Sequence, residues 1–308
     1  MILSPEDTAQ ALPYPALAEA IARVAADTRA DIPPRRIMDL PSPEGVNRKF
    51  FIMPAVTERV AITKLITFVG DNDKRGLPTI QGDVIVFDPT TGQRRLILDG
   101  PTVTARRTAA VSLLAAQRLA TRQDGPLLVG GAGVQGRAHI EAFREGLGLQ
   151  EVWVASRSAS SVDALVAHAQ SLGLRARGVA DANAVMDQCP YVVSTTPAQA
   201  VTLTAMPREG AFVSAVGAFT PQMVEWSAEV CQALAERAQL VVDTRDADHE
   251  AGDFLQAGLD VPSMPSLLDV VRGTPAWTAR APRTGTVMFK NCGWAGWDLA
   301  AALCALEA

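Results

Sequence analysis

Residues Leu127 to His139, LLVGGAGVQGRAH, constrain the fold of this chain more than any other stretch. An apolar run ends in a glycine cluster, and a helical pattern follows. Gly131, Gly133 and Gly136 stand at the spacing G-x-G-x-x-G. In a strand-turn-helix unit, the first such glycine permits the sharp turn, the second admits a pyrophosphate to the backbone, and the third lets helix pack closely on strand. The start of the helix adds free N–H groups and the positive end of its dipole. A glycine turn alone is also an ordinary strand-helix connection. Context decides here: Leu127, Leu128 and Val129 precede the turn, and a second strand, EVWVAS, follows about 20 residues on, as a dinucleotide-binding unit requires.

The alternation continues downstream. Val162, Leu165, Val166, Ala169 and Leu172 mark a helix, and LRARGVA, YVVSTT, AFVSAVGA and LVVDT read as further strands with helical segments between them. Such alternation predicts an α/β fold, a doubly wound parallel sheet of the Rossmann type with helices on both faces. Ligands bind at the carboxyl ends of those strands, which brings Ser194 to Pro197 and Val216 to Phe219 near the dinucleotide.

Upstream, the pattern differs. Leu17, Ile21 and Val24 recur at helical spacing, and the proline-rich connection DIPPRRIMDLPSPEG, carrying Arg35 and Arg36, is expected to run extended along a surface. KFFIMPA, RVAITKLITFV, GDVIVFD and RRLILDG are short, rich in β-branched and aromatic residues, and separated by turn chemistry, which predicts a second domain with a largely antiparallel sheet. Lys64 lies inside the second of these strands. It either points to water on an open face or lines a pocket, and only the pocket would tune its pKa. On the helix TVTARRTAAVSLLAAQRLA, Val103, Ala110 and Leu114 form one stripe, and Arg107 falls on it while Arg106 points elsewhere. An inward guanidinium needs an anion, either a structural carboxylate or a substrate carboxylate held bidentately, and periodicity leaves both open. The chain closes on an alanine-rich helix after Arg283. Its return to the first domain predicts residues 1–120 plus 289–308 as a substrate-binding and dimerisation domain, with 121–288 as the dinucleotide domain.

With 308 residues, 48% of them hydrophobic and 20% charged, the chain has material for two soluble domains. The net charge of −5 is spread without long runs, so no nucleic-acid-binding face is expected, and an acidic substrate would need local cations. No apolar run reaches about 18 residues, and MILSPEDTAQ has no signal-like core, so neither a membrane span nor export is expected and the cytoplasm is the default. Cys189, Cys231, Cys292 and Cys304 lie far apart, and His139, His168 and His249 lack ligand spacing, so neither a disulfide framework nor a metal site is expected. Tyr14 and Tyr191 have no lysine four residues on, unlike short-chain dehydrogenases, and the ligands of zinc alcohol dehydrogenases are absent.

The end of the second strand selects the dinucleotide. NAD-binding folds place Asp or Glu there to bind the ribose hydroxyls. Here Ser156, Arg157 and Ser158 occupy that position. A guanidinium with two hydroxyls binds a 2′-phosphate that a carboxylate would repel, which points to NADP (NADPH), with NADH as a poorer donor. The alternative is an exposed arginine beside serines, Ser158 or Ser160, that cap the next helix.

Several segments in order, the arginine in PPRRIMDL, the lysine in TKLITF, LPTIQGDVIVFDPTTG, DGPTVTARRTAA, GGAGVQG, SAVGA and TVMFKNCG, resemble the ornithine cyclodeaminase/mu-crystallin family. The resemblance runs from about Arg35 to the C-terminus. It implies an NAD(P)-binding Rossmann domain, a second α/β domain supporting a homodimer, and a small pocket between the domains for a 2-imino acid or amino acid. By position it implies that Arg35, Lys64 and Arg107 hold the substrate carboxylate, with Lys64 also able to relay the imine proton. It assigns Ala132, Val134 and Gln135, within the Gly131, Gly133 and Gly136 loop, to the pyrophosphate, and Ser156, Arg157 and Ser158 to the adenosine phosphate. Thr79, Thr196, Val216 and Asn291 fall by the nicotinamide half, and Arg107 is counted with the cofactor as well as the substrate. Two positions depart from the family pattern. Cyclodeaminases and alanine dehydrogenases have an aspartate after V-G-x where this chain has Phe219, and Asn291 stands where serine is common. Without that carboxylate, the resemblance favours the ketimine reductase branch, which reduces Δ1-pyrroline-2-carboxylate to L-proline and Δ1-piperideine-2-carboxylate to L-pipecolate. Alanine dehydrogenase or ornithine cyclodeaminase activity, or a non-enzymatic NADPH-dependent binding protein, are the alternatives.

Overall fold

The computed structural model describes residues 1–42, 47–121, 124–196, 200–278 and 285–308. Pro197, Arg283 and the end of the proline-rich connection, Pro43 to Gly45, lie outside the described residues. The chain forms two compact units, Met1–Arg107 with Trp294–Ala308, and Thr108–Gly293.

The first unit is built on a five-stranded antiparallel sheet, β1 (Arg36–Asp39), β2 (Arg48–Val56), β3 (Ala61–Val69), β4 (Ile80–Phe87) and β5 (Arg94–Asp99), in sequential order. Period-2 alternation fixes which face is covered, because a slip of one residue would turn every side chain over. Met53, Ile62, Ile66, Val84, Val86 and Leu98 point to the buried face. That face is covered by the C-terminal helix Ala295–Glu307, which also packs on the N-terminal helix Tyr14–Ala26, whose Leu17, Ile21 and Val24 are buried as their spacing predicts. The extended connection contributes one element the sequence reading did not resolve. Beyond the two prolines, which lack N–H groups, the chain recovers enough donors to add β1 as an edge strand beside β2.

The second unit carries a seven-stranded parallel sheet. Its strands are β6 (Leu127–Gly130), β7 (Glu151–Ala155), β8 (Arg175–Gly178), β9 (Tyr191–Ser194), β10 (Phe212–Ala215), β11 (Gln239–Val242) and β12 (Val287–Lys290), lying in the order β11-β12-β10-β9-β6-β7-β8. They are short and, apart from the mostly exposed edge strand β8, almost entirely buried, as expected of parallel strands covered on both faces. From β6 the chain first winds outward through β7 and β8, then crosses to β9 and β10. The order therefore reverses between β6 and β9, where open α/β sheets bind their ligands. The last strand, β12, inserts between β10 and β11 and pairs in parallel with both. The domain limits expected at 120/121 and 288/289 thus differ from the unit limits, which fall after Arg107 and after Gly293. Backbone pairing places all of β12 in the parallel sheet, and the helix Gly100–Leu119 passes from one unit into the other. All four cysteines are buried, and no disulfide joins them. Among the described residues, no helix is long and apolar enough to cross a membrane.

Candidate active site

In the first unit, Lys64 points to the buried face of β3 and is 1% exposed. Its Nζ donates to both carboxylate oxygens of Asp298, at 3.0 and 3.2 Å. Asp298 is fully buried on the C-terminal helix. Arg107, on the inward stripe of its helix, brings Nε to 3.3 Å from Asp298 Oδ1 without hydrogen-bond alignment. The charge of Arg35 also acts on Lys64. Two of the three cations named from the sequence, Lys64 and Arg107, therefore meet at a carboxylate that sequence reasoning missed, and the third, Arg35, acts on Lys64 by charge. Desolvation by burial lowers the Lys64 pKa to about 8; Asp298 opposes that shift by charge and hydrogen bonding, and Arg107 and Arg35 add to it. The signal for Asp298 was present: in the apolar run AGWDLAAALCAL it is the lone charge, and a charge carried into a core must be paired. Thr79 belongs to this unit too, where its carbonyl accepts from the Val69 N–H at 2.8 Å.

In the second unit, the glycine loop has the geometry a pyrophosphate needs. Gly131 has φ +109°, open to glycine and strained for other residues, and its N–H donates to Ala155 O at 2.8 Å. A Cβ on Gly136 would overlap the Gly131 carbonyl oxygen, so the helix Val134–Leu147 approaches the turn closely only because that position is bare. Above Gly133, by contrast, a Cβ would meet nothing within 4 Å, and Gly133 caps the helix without a side-chain acceptor, leaving first-turn N–H groups for an anion. Ala132 and Gln135 are half-buried and Val134 is exposed. These features fit a dinucleotide.

At the end of β7, Ser156, Arg157 and Ser158 are all exposed. Ser158 is the N-cap of the helix Ala159–Ser171, its Oγ accepting from Ser161 N at 3.2 Å, so the capping alternative is realised for that serine. Arg157 remains as the exposed cation at this rim.

On the other side of the switch point, Asn291 follows β12 and is buried. Its Nδ2 donates to Thr108 O at 3.1 Å and Ser112 Oγ at 3.2 Å, which fixes the amide, while Oδ1 is buried without a hydrogen-bond partner. Ser112 Oγ also lies 2.9 Å from His139 Nε2, and His139 Nδ1 lies 2.7 Å from Gln135 O in the helix that starts at the glycine loop. Burial lowers the His139 pKa to about 4, so the ring is neutral, with Nδ1–H donating to the Gln135 carbonyl and Nε2 accepting from Ser112. A chain of hydrogen bonds thereby links Asn291 to the glycine-loop helix. Thr196 and Val216 stand at the carboxyl ends of β9 and β10, and Phe219 is half-buried just beyond. No carboxylate replaces it in the sequence Val216-Gly217-Ala218-Phe219.

Comparison with known proteins gives this arrangement its relatives. Residues 6–307 match the model of the ornithine cyclodeaminase/mu-crystallin family. A Delta(1)-pyrroline-2-carboxylate reductase 1 of Burkholderia multivorans is 39% identical over 310 aligned positions, covering 98% of this chain and 94% of the relative. A Delta(1)-pyrroline-2-carboxylate/Delta(1)-piperideine-2-carboxylate reductase of Azospirillum brasilense is 37% identical, over 98% and 94%. Among solved structures, the Delta(1)-pyrroline-2-carboxylate reductase of Thermococcus litoralis, determined with NADH and L-proline, superposes with a TM-score of 0.88 at 23% identity, covering 100% of this chain and 96% of that one. Near-full-length coverage at such identity, on a parallel sheet with a glycine loop and a separate antiparallel sheet, makes this chain a member of the ornithine cyclodeaminase/mu-crystallin family.

Proposed function

We propose that this protein is an NADPH-dependent reductase of cyclic 2-imino acids, converting Δ1-pyrroline-2-carboxylate to L-proline and Δ1-piperideine-2-carboxylate to L-pipecolate, and working as a homodimer. One observation carries the reading. Two buried cations, Lys64 and Arg107, meet at the carboxylate of Asp298, the charge of Arg35 acts on Lys64, and a buried Arg107 donor is left without a hydrogen bond. Such a cluster holds positive charge in excess, which a substrate carboxylate neutralises. The names of the Burkholderia and Azospirillum relatives support the substrate class, and NADH with L-proline in the Thermococcus structure supports a nicotinamide dinucleotide.

In this reading, Arg107 and Arg35 bind the substrate carboxylate and Lys64 assists them. The dinucleotide supplies the hydride. Gly131 to Gly136 hold its pyrophosphate, and Thr79, Thr196, Val216, Asn291 and Arg107 serve its nicotinamide half, with the Asn291 Oδ1 acceptor free to take an amide N–H. With a pKa of about 8, Lys64 is mostly protonated at neutral pH and donates the proton that the reduced imine nitrogen takes up. Phe219 presents an apolar surface where a diamino substrate would need a carboxylate, which favours an aliphatic ring over ornithine.

Arg157 and its two serines receive the 2′-phosphate. A charge-assisted hydrogen bond to that group contributes ~1.5–3 kcal/mol, so Arg157→Ala raises KM for NADPH by roughly ten- to a hundredfold and leaves KM for NADH unchanged. Initial rates with both dinucleotides measure this; a wild-type preference for NADH would overturn the NADP assignment. The substrate class is tested by oxidation of NADPH with pyrroline-2-carboxylate, piperideine-2-carboxylate, pyruvate plus ammonia, and ornithine with NADP. Turnover of the two ring imines is expected. Turnover confined to pyruvate plus ammonia, or to ornithine, would contradict it.

A further inference from the structure

Glu225 is fully buried in the second unit, yet it sits outside every motif named above. Each of its carboxylate oxygens accepts one backbone N–H from a different loop. Oε1 accepts from Thr196 N at 2.6 Å and Thr196 Oγ1 at 2.8 Å. Oε2 accepts from Gly217 N at 2.8 Å and Ser194 Oγ at 3.0 Å. Thr196 follows β9 and Gly217 follows β10, at the carboxyl edge of the sheet where a dinucleotide is read to bind. The two loops touch: a Cβ on Gly217 would overlap the Thr196 carbonyl oxygen and lie 2.5 Å from Glu225 Oε1.

Glu225 is itself held. Its N–H donates to Asp253 Oδ1 at 2.6 Å, and Trp226 N donates to the same oxygen at 3.0 Å. Asp253 Oδ2 in turn accepts from Lys290 Nζ at 2.6 Å, with both groups fully buried, and Lys290 immediately precedes Asn291. Trp226 Nε1 donates to Ser194 Oγ at 3.0 Å, which leaves that hydroxyl's proton for Glu225. A buried carboxylate with four donors is costly to place and is retained where a geometry has to be fixed.

We propose that Glu225 is the positioning residue for the nicotinamide side of the cofactor site, presetting the Thr196 loop and the Val216-Gly217 turn before the dinucleotide arrives. This rests on the dinucleotide reading above. Glutamine is nearly the same shape, but its NH2 would face a backbone N–H in either orientation, since both oxygens of Glu225 accept from the main chain. Glu225→Gln therefore loses one clamp or the other while the Lys290–Asp253 pair is kept.

The test compares two probes on the full-length protein by calorimetry. One is whichever of NADPH and NADH the wild type binds more tightly; the other is the matching fragment without nicotinamide, 2′-phospho-ADP-ribose or ADP-ribose. Loss of a preset conformation reduces affinity by the fraction of molecules that retain it, so Glu225→Gln is expected to weaken the complete dinucleotide by about ten- to a hundredfold and the fragment by less than about twofold. Equal loss of both, or loss of neither, overturns the proposal. Failure of the wild type to bind any of the probes overturns the dinucleotide reading beneath it. Should the variant not fold, amide exchange on the wild type decides: the Thr196 and Gly217 protons are expected to exchange as slowly as those of the sheet, and exchange at the rate of exposed loops contradicts the clamp.

Discussion

Replacing Lys64 by methionine, which keeps the length and apolar stem of the side chain, is expected to lower kcat for ring-imine reduction by about 10²- to 10⁴-fold, the usual contribution of a positioned general acid. The group is suited to that task by its surroundings. Burial removes the water that stabilises an ammonium, and the pKa falls to about 8; Asp298 keeps it from falling further. The pH dependence follows with a definite sign. Lys64 is protonated below pH 8, so the rate is expected to be level toward neutral pH and to fall as pH rises through about 8. The variant should lose that limb. Dinucleotide affinity, to which Lys64 is assigned no part, should not change. Steady-state rates against pH for both proteins, with titration of NADPH binding, measure all three.

Replacing Asp298 by alanine has the largest expected effect on stability. Lys64 and Arg107 would then face one another with no carboxylate between them, in a site where Asp298 is fully buried and Lys64 is 1% exposed. Removing one partner from such a buried set costs about 3–5 kcal/mol, which urea denaturation measures directly. Asp298→Asn tests the electrostatic role with less disruption. The carboxylate raises the Lys64 pKa both by charge and by hydrogen bonding. Without it that pKa drops below 8, and the alkaline fall in rate moves toward lower pH. A profile that does not move would separate Asp298 from the protonation of Lys64.

These two predictions rest on residues of unequal visibility in the sequence. Arg107 was legible as an inward cation because helical spacing aligns it with Val103, Ala110 and Leu114, and the glycine loop was legible because Gly131, Gly133 and Gly136 each meet a local geometric demand. Periodicity reported that Arg107 points inward but not at what, since its partner Asp298 lies on a helix 191 positions along the chain and reaches it only through the fold. The same holds for Glu225, Asp253 and Lys290. Glu225 and Asp253 belong to no motif named from the sequence, Lys290 lies in TVMFKNCG without an assigned role, and their hydrogen bonds follow from the order in which β9, β10 and β12 lie side by side. The placement of β12 between β10 and β11 also escaped the pattern, because a buried four-residue strand carries no alternation to read. Local chemistry was thus open to inspection, and long-range pairing of buried charges was not.

The proposed reduction passes a hydride from the nicotinamide to the ring carbon that bears the substrate carboxylate. Incubating the enzyme with Δ1-pyrroline-2-carboxylate and NADPH dideuterated at the nicotinamide C4, and analysing the product by mass spectrometry, follows that hydride. Proline carrying one deuterium at the carbon next to its carboxylate is the predicted result. Tight binding of the dinucleotide with no conversion of the imine, or proline without the label, would contradict the account.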